Sequence, residues 1–209
     1  MRKFEYRFHL APTLVSMLLG GQSLACEPPA GFVNPPRPEI APLEDLLGHT
    51  EQLEIARGFS DLMKIPSRPL EETIRPMKGM PGVSGTFRLS KEPYGSVGAR
   101  RLVCLTDGSI AVEEVLLTES QGDSRRFRYA VWNYTREKMR DVDYAVGEFV
   151  HTKIAPDKTR VSWTYRFALK EGRDPDRFRE TFLERDFARW MRTLLEQGRS
   201  RAEAVPAPP

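Results

Sequence analysis

The stretch between Ser84 and Lys170 constrains the fold more than any other part of the chain. Apolar and polar residues alternate along it, the period of a strand with one buried face. Turn residues cut it at intervals: Pro93-Tyr94-Gly95, Asp107-Gly108, Gln121-Gly122-Asp123 and Ala155-Pro156-Asp157-Lys158. These cuts predict strands over 83–90, 99–106, 110–118 and 125–134, then a pair near 144–154 and 159–170. The connections are hairpin-length, so the strands run antiparallel. The clearest alternation sets Val161, Trp163, Tyr165, Phe167 and Leu169 on one face. A single amphipathic helix follows. Asp174 is a good N-cap, Pro175 suits the first helical position, and Gly198 is a natural stop. Phe178, Phe182, Leu183, Phe187, Trp190, Met191, Leu194 and Leu195 form its apolar stripe. At about 1.5 Å per residue such a helix is roughly 36 Å long, enough to cross a small sheet. A curved sheet closed by a long helix has the shape of a container, which suggests that it holds something apolar.

Upstream, residues 49–65 carry Leu53, Ile55, Phe59, Leu62 and Ile65, and their first part alternates like a strand. Gly58 and Ser60 mark a bend, and 69–76 reads as a short helix with Leu70 and Ile74 four apart. Gly79-Met80-Pro81-Gly82 then forces a turn. Residues 26–42 hold Pro28, Pro29, Pro35, Pro36, Pro38 and Pro42, the composition of an extended linker. The expected organisation is a leader over 1–25, a Pro-rich linker over 26–48, the domain over 49–198 and a disordered tail over 199–209.

The first residues resemble an export signal. Arg2, Lys3 and Arg7 precede an apolar run over 10–19, and Ser23-Leu24-Ala25 places small residues where a signal peptidase reads. The expected location is therefore periplasmic or secreted. Cys26 directly follows the cleavage point, which leaves lipid attachment there open. Loss of 1–25 lowers the net charge from +3 to +1. Basic and acidic residues alternate elsewhere, so the concentrated basic face that nucleic acid needs is missing. No apolar run reaches the ~20 residues of a membrane-spanning helix. The chain has 2 cysteines, Cys26 and Cys104; a disulfide between them is compatible with an oxidising compartment, but their spacing does not imply one.

The pattern from Met80 to Gly198 resembles the START-like, or Bet v 1-like (SRPBCC), superfamily, and within it the polyketide cyclase/dehydrase and lipid-transport branch. The residues that carry the likeness are Gly85-Thr86-Phe87-Arg88, Gly98-Ala99-Arg100-Arg101, Asp107-Gly108 with Glu113-Glu114-Val115-Leu116, and Arg126-Phe127-Arg128-Tyr129. Thr159 to Phe167 and Phe187-Ala188-Arg189-Trp190-Met191 complete it. The likeness implies an α+β helix-grip fold: a bent antiparallel sheet wrapped around a long C-terminal helix, with a ligand cavity between them. It implies binding or transport of a hydrophobic small molecule or lipid, without catalysis. A cyclase- or dehydratase-like enzyme is the alternative, and an envelope protein with a filled cavity is the third reading. The opening, 53–74, is shorter than the family's usual one and lacks its tryptophans.

Six residues are candidates for the ligand site. Trp163, Tyr165 and Phe167 present an aromatic face beneath the helix, fit either to line a cavity or to fill a core. Arg101 shares a strand face with Val103 and Leu105; Glu114 shares one with Ile110, Val112 and Leu116; Tyr129 alternates with Phe127 and Val131. If those faces look inward, Arg101 and Glu114 must pair or meet a polar ligand group, because unpaired buried charge is costly. The doublets Arg100-Arg101 and Glu113-Glu114 leave the register open by one residue, and a shift of one turns a side chain to the other face. His49 and His151 lack the partners of a zinc site, and His151 reads as an exposed strand residue. The sequence has no nucleophile elbow, phosphate loop or dinucleotide fingerprint, and no cofactor or metal is expected.

Overall fold

The computed structural model describes residues 26–206; the leader expected over 1–25 lies outside them. The order is β1 (Leu47–Ile55), α1 (Phe59–Lys64), α2 (Leu70–Thr73), β2 (Val83–Arg88), β3 (Arg100–Leu105), β4 (Ile110–Gln121), β5 (Ser124–Trp132), β6 (Val142–Ala155) and β7 (Lys158–Leu169). A last helix, α3, runs from Pro175 to Ala204. The 7 strands form one antiparallel sheet in the order β1-β7-β6-β5-β4-β3-β2. The sequence-predicted strands and hairpins all form. Irregularities in β2, β4 and β6 bend the sheet. Gly58, expected as a bend, instead starts α1 by accepting from the Leu62 N–H, 2.9 Å away.

The register sorts side chains into rows. On the helix side one row runs Arg101, Glu113, Val131, Ala145, Phe167 and Leu47. The next row holds Tyr129, Gly147, Tyr165 and His49, and the one beyond it Phe127, Phe149, Trp163 and Glu51. The Tyr129 ring lies flat over Gly147: a Cβ there would sit 2.4 Å from Tyr129 Cζ. The opposite, outer face carries Leu102, Val112, Ala130, Trp132, Tyr144 and Val146, all buried. The proline-rich segment read as a linker is extended, yet it lies against this outer face, with Phe32, Ile40, Leu43 and Leu46 packed on it. Cys26 and Cys104 are joined by a disulfide. A sulfur so engaged cannot also carry a lipid thioether.

Helix α3 starts as the sequence predicts, with Asp174 Oδ1 accepting from the Asp176 and Arg177 N–H groups. Its middle does not keep α spacing. Pro175–Phe178 and Ala188–Ala204 are α-helical, but Arg179–Phe187 has π-type turns. The reason lies in its phenylalanines. At 100° per residue, Phe178 and Phe187 would stand about 180° apart, on opposite sides of the helix. Wider turns, with roughly 4.4 residues each, bring positions 178, 182 and 187 onto one face. All three rings then meet Phe167, at 5.4, 6.1 and 5.0 Å between centroids. Beyond them Met191 is fully buried, whereas Trp190 is only half-buried, at the rim. The helix also passes the expected stop at Gly198 and continues to Ala204. Glu203 accepts from the Ala56 N–H at 2.8 Å and Ala202 is buried, so tertiary contacts hold the last turns.

Two glycine variants follow. Gly147→Ala forces Tyr129 off its seat and should lower unfolding free energy by about 1–3 kcal/mol. A Cβ at Gly198 meets nothing within 4 Å, and the helix gains about 0.5–1 kcal/mol from Gly198→Ala. Urea melts of the two variants should therefore move in opposite directions.

Candidate functional site

The concave face divides into an aromatic end and a polar end. The aromatic end is a connected stack: Phe149 lies on Trp163 at 4.8 Å, Trp163 meets Trp190 at 5.3 Å, and Phe187 meets both Trp190 and Tyr165 at 5.0 Å. Trp163, Tyr165 and Phe167, three of the sequence-predicted ligand residues, belong to this stack and are 4%, 7% and 1% exposed. They fill the space between sheet and helix. The hollows among the described residues include two that open at the surface. One, about 420 Å³, lies between Asp107–Ser109 and Thr135–Lys138; the other, about 300 Å³, lies between β1 and α3 near Glu51 and Arg192.

The polar end sits on β3 and β4. Arg101 faces inward as one of the two registers requires, but its partner is Glu113, not Glu114. The Arg101 Nε–Glu113 Oε2 distance is 2.6 Å, and its Nη2 lies 2.5 Å from the same oxygen. The loop between β2 and β3 folds Tyr94 over this pair. The Tyr94 hydroxyl donates to Glu113 Oε2 at 3.0 Å, and its ring lies 3.5 Å from the Arg101 guanidinium carbon. The Tyr94 ring meets Phe127 edge-on at 6.3 Å, and Phe127 lies 5.7 Å from Tyr129. Tyr129 is thus brought to the polar end, as the sequence suggested.

Glu114 corrects the sequence reading. It points to the outer face, where Arg100 Nε donates to it at 2.5 Å and Arg37 Nε at 2.9 Å. The apolar neighbours that it shares a face with, Ile110 and Val112, belong to the outer core. Both faces of the sheet are covered, so apolar alternation does not tell the inner face from the outer. Tyr94 and Glu113 are the site residues that sequence reasoning missed. The signal for Glu113 was present in the Glu113-Glu114 doublet, which the register alone resolves. Tyr94 stands between Pro93 and Gly95, where its sequence context signals only a turn.

Burial, reinforced by the charge of Glu113, pushes the Tyr94, Tyr129 and Tyr134 hydroxyls well above the ordinary phenol range. Tyr165 is raised chiefly by burial as well. These phenols are hydrogen-bond donors, not bases. Burial opposes the charge on Arg101, but Glu113 and, less, the Tyr94 phenol outweigh it, so Arg101 is held charged. The hydrogen bonds to Glu113 converge on Oε2. Trp163 Nε1 is buried on the Tyr129 side of the stack. At the far mouth His151 lies half-buried on the inner face, stacked beside Phe149 at 6.3 Å; it is not the exposed strand histidine expected. Burial, with the nearby Arg125, holds its pKa down to about 4. It is neutral at pH 7. Among the described residues no cluster of His, Cys, Asp or Glu can hold a metal, and no helix is long and apolar enough to cross a membrane.

No family model and no curated protein matches the chain. Solved structures do. Ara h 8.0201 is similar at a TM-score of 0.55 and 13% identity, over 77% of this chain and 99% of that one. A START superfamily protein from Mycobacterium smegmatis is similar at 0.52 and 11%, over 74% and 97%. The Zhui aromatase/cyclase from Streptomyces sp. R1128 is similar at 0.52 and 15%, over 76% and 94%. At these identities the likeness is one of fold: the chain has the START-like, Bet v 1-like helix-grip fold, as the sequence pattern implied.

The two glutamates separate by mutation. Glu113→Gln leaves Arg101 buried beside a neutral partner and should cost about 3–5 kcal/mol. Glu114→Gln disturbs an outer pair whose arginines keep access to water, and should cost about 1 kcal/mol. Equal losses in denaturant titrations would contradict the register described here. His151 supplies a pH test. Its folded pKa lies below the ordinary 6.5, so its contribution is complete above pH 6.5 and is lost as pH falls towards 4. The loss should reach at most about 3 kcal/mol. His151→Gln should flatten the fall in stability over that window, measured by urea melts at stepped pH.

Proposed function

We propose that this domain binds a hydrophobic small molecule or lipid in the helix grip without transforming it. The observation that supports this is the charged pair Arg101–Glu113 with Tyr94, set on the inner face of the sheet beside its aromatic rows. A core built only for stability does better with apolar residues at such positions. A polar group at one end of an apolar space is what fixes the orientation of a ligand. The ligand's polar end belongs beside Glu113 and Tyr94, and its apolar body against Phe127, Tyr129 and the Trp163–Tyr165 face. Entry requires Tyr94 and the rim residue Trp190 to give way, because the interior rings are in contact. The cyclase reading has less support: phenols held protonated are poor proton acceptors.

Continuous packing favours a second reading, a filled domain that acts through its surface. Binding separates the two. Each buried methylene is worth about 0.8 kcal/mol, so a chain of several carbons should reach micromolar affinity even after ordering costs. A lipophilic fluorescent probe should bind the folded protein and be displaced by fatty acids or isoprenoids. Val131→Trp, which crowds the inner face, should weaken uptake without unfolding the domain. If native mass spectrometry finds no retained ligand and the folded protein takes up no probe, the surface reading replaces the binding one.

We also propose export. The basic and apolar start, the Ser-Leu-Ala site and the disulfide at Cys26 all suit an oxidising compartment. N-terminal sequencing of fractionated cells should begin at or near Cys26. A cytoplasmic protein that starts at Met1 would overturn this.

A further inference from the structure

The outer face of the sheet is apolar, yet among the described residues no α-helix covers it. Leu102, Val112, Ala130 and Val146 are 0% exposed there. What covers them is the chain before β1. Its prolines remove amide donors, so it cannot join the ladder. Its backbone-to-backbone bonds stay within it: Phe32 to Pro29, Asp45 to Pro42 and Leu46 to Leu43. Side chains tie it to the sheet. The later part is held by Arg37 on Glu114, by the Ala41 N–H on the Tyr144 hydroxyl at 2.9 Å, and by Ile40, Leu43 and Leu46. The earlier part has less: Phe32, an Arg100 bond to the Pro35 carbonyl at 3.3 Å, and the disulfide. That bond seats the strap so close to β2 that a Cβ on Gly85 would lie 2.9 Å from Cys26 Cβ. Both cysteines are half-buried, within reach of a small dithiol.

We infer that the Cys26–Cys104 bond is a thiol-operated lock on this strap. Reduction frees its leading part, residues 26–36, and uncovers the outer apolar face around Leu102 and Val112, while the helix-grip body stays folded. The exchange balances. A thiolate of the reducing dithiol attacks one sulfur to give a mixed disulfide, and its second thiol displaces the other partner. The dithiol is oxidised to a cyclic disulfide, and its two electrons and two protons end on Cys26 and Cys104 as thiols. The body persists because its ladders and the inner core, from Phe167 to Met191, contain no strap residue. Nothing in this inference depends on what the grip binds.

Limited proteolysis tests it. Thermolysin cuts before large apolar residues, and Phe32 and Val33 stand in the leading part. With dithiothreitol, cleavage before residues 32 and 33 should become at least tenfold faster, followed by mass spectrometry. Binding of an apolar dye should rise, and the far-ultraviolet spectrum and cooperative urea unfolding of the remainder should persist. Cys104→Ser should behave in the same way without reductant and show no further response to it. Cleavage rates within twofold of each other in the two redox states would overturn the lock. Loss of cooperative unfolding on reduction would overturn it too, because the bond would then staple the whole fold and not a separable strap.

Discussion

The ring of Phe167 is where sheet and helix are joined, and the remaining architecture depends on that joint. It stands on β7, in the row that leads through Ala145 and Val131 to Glu113, and it takes the phenylalanines of α3 from the other side. The π-type turns exist to satisfy it. A regular α-helix would have turned Phe178 or Phe187 to water and lost the 1.5–3 kcal/mol, roughly, that each buried ring contributes. The local geometry of the helix is therefore dictated by packing. Farther along, the bidentate Arg192–Glu51 pair, both bonds 3.1 Å, ties the α-helical half to β1. Burial alone would raise the Glu51 carboxyl, but Arg192 and His49 outweigh it and hold it below the usual range.

The strands, their turns and the start of the helix were legible in the sequence, because period-2 alternation and Gly-Asp-Pro turn chemistry are local properties. What escaped was every feature that depends on a distant partner. The stripe Phe178–Leu195 looks helical by composition, but only tertiary contact reveals that it needs wide turns. Gly198 looks like a stop, and it is overruled by Glu203 reaching Ala56. The prolines between 26 and 42 look like a linker, since their lack of donors is visible and the apolar sheet face awaiting them is not.

The candidate site shows the same boundary. Arg101, Tyr129, Trp163, Tyr165 and Phe167 were legible as inward-facing residues because each alternates with apolar neighbours. Glu114 passed the same test and failed, since its neighbours line a second core on the outer face. Tyr94 carried no periodic signal, for it reaches the site from a loop. Its role follows from where that loop lands, over Arg101.

The facing doublets on β3 and β4 have a wider consequence. Arg100 pairs with Glu114 on one face while Arg101 pairs with Glu113 on the other. Slide β3 by one residue and Arg101 comes opposite Val112; slide it by two and both arginines face aliphatic side chains. The first misalignment keeps one Arg–Glu pair and strands the other arginine; the second strands charge on both sides of the sheet at once. The two neighbouring rungs act as a double-sided key, cut so that these strands can close in only one alignment.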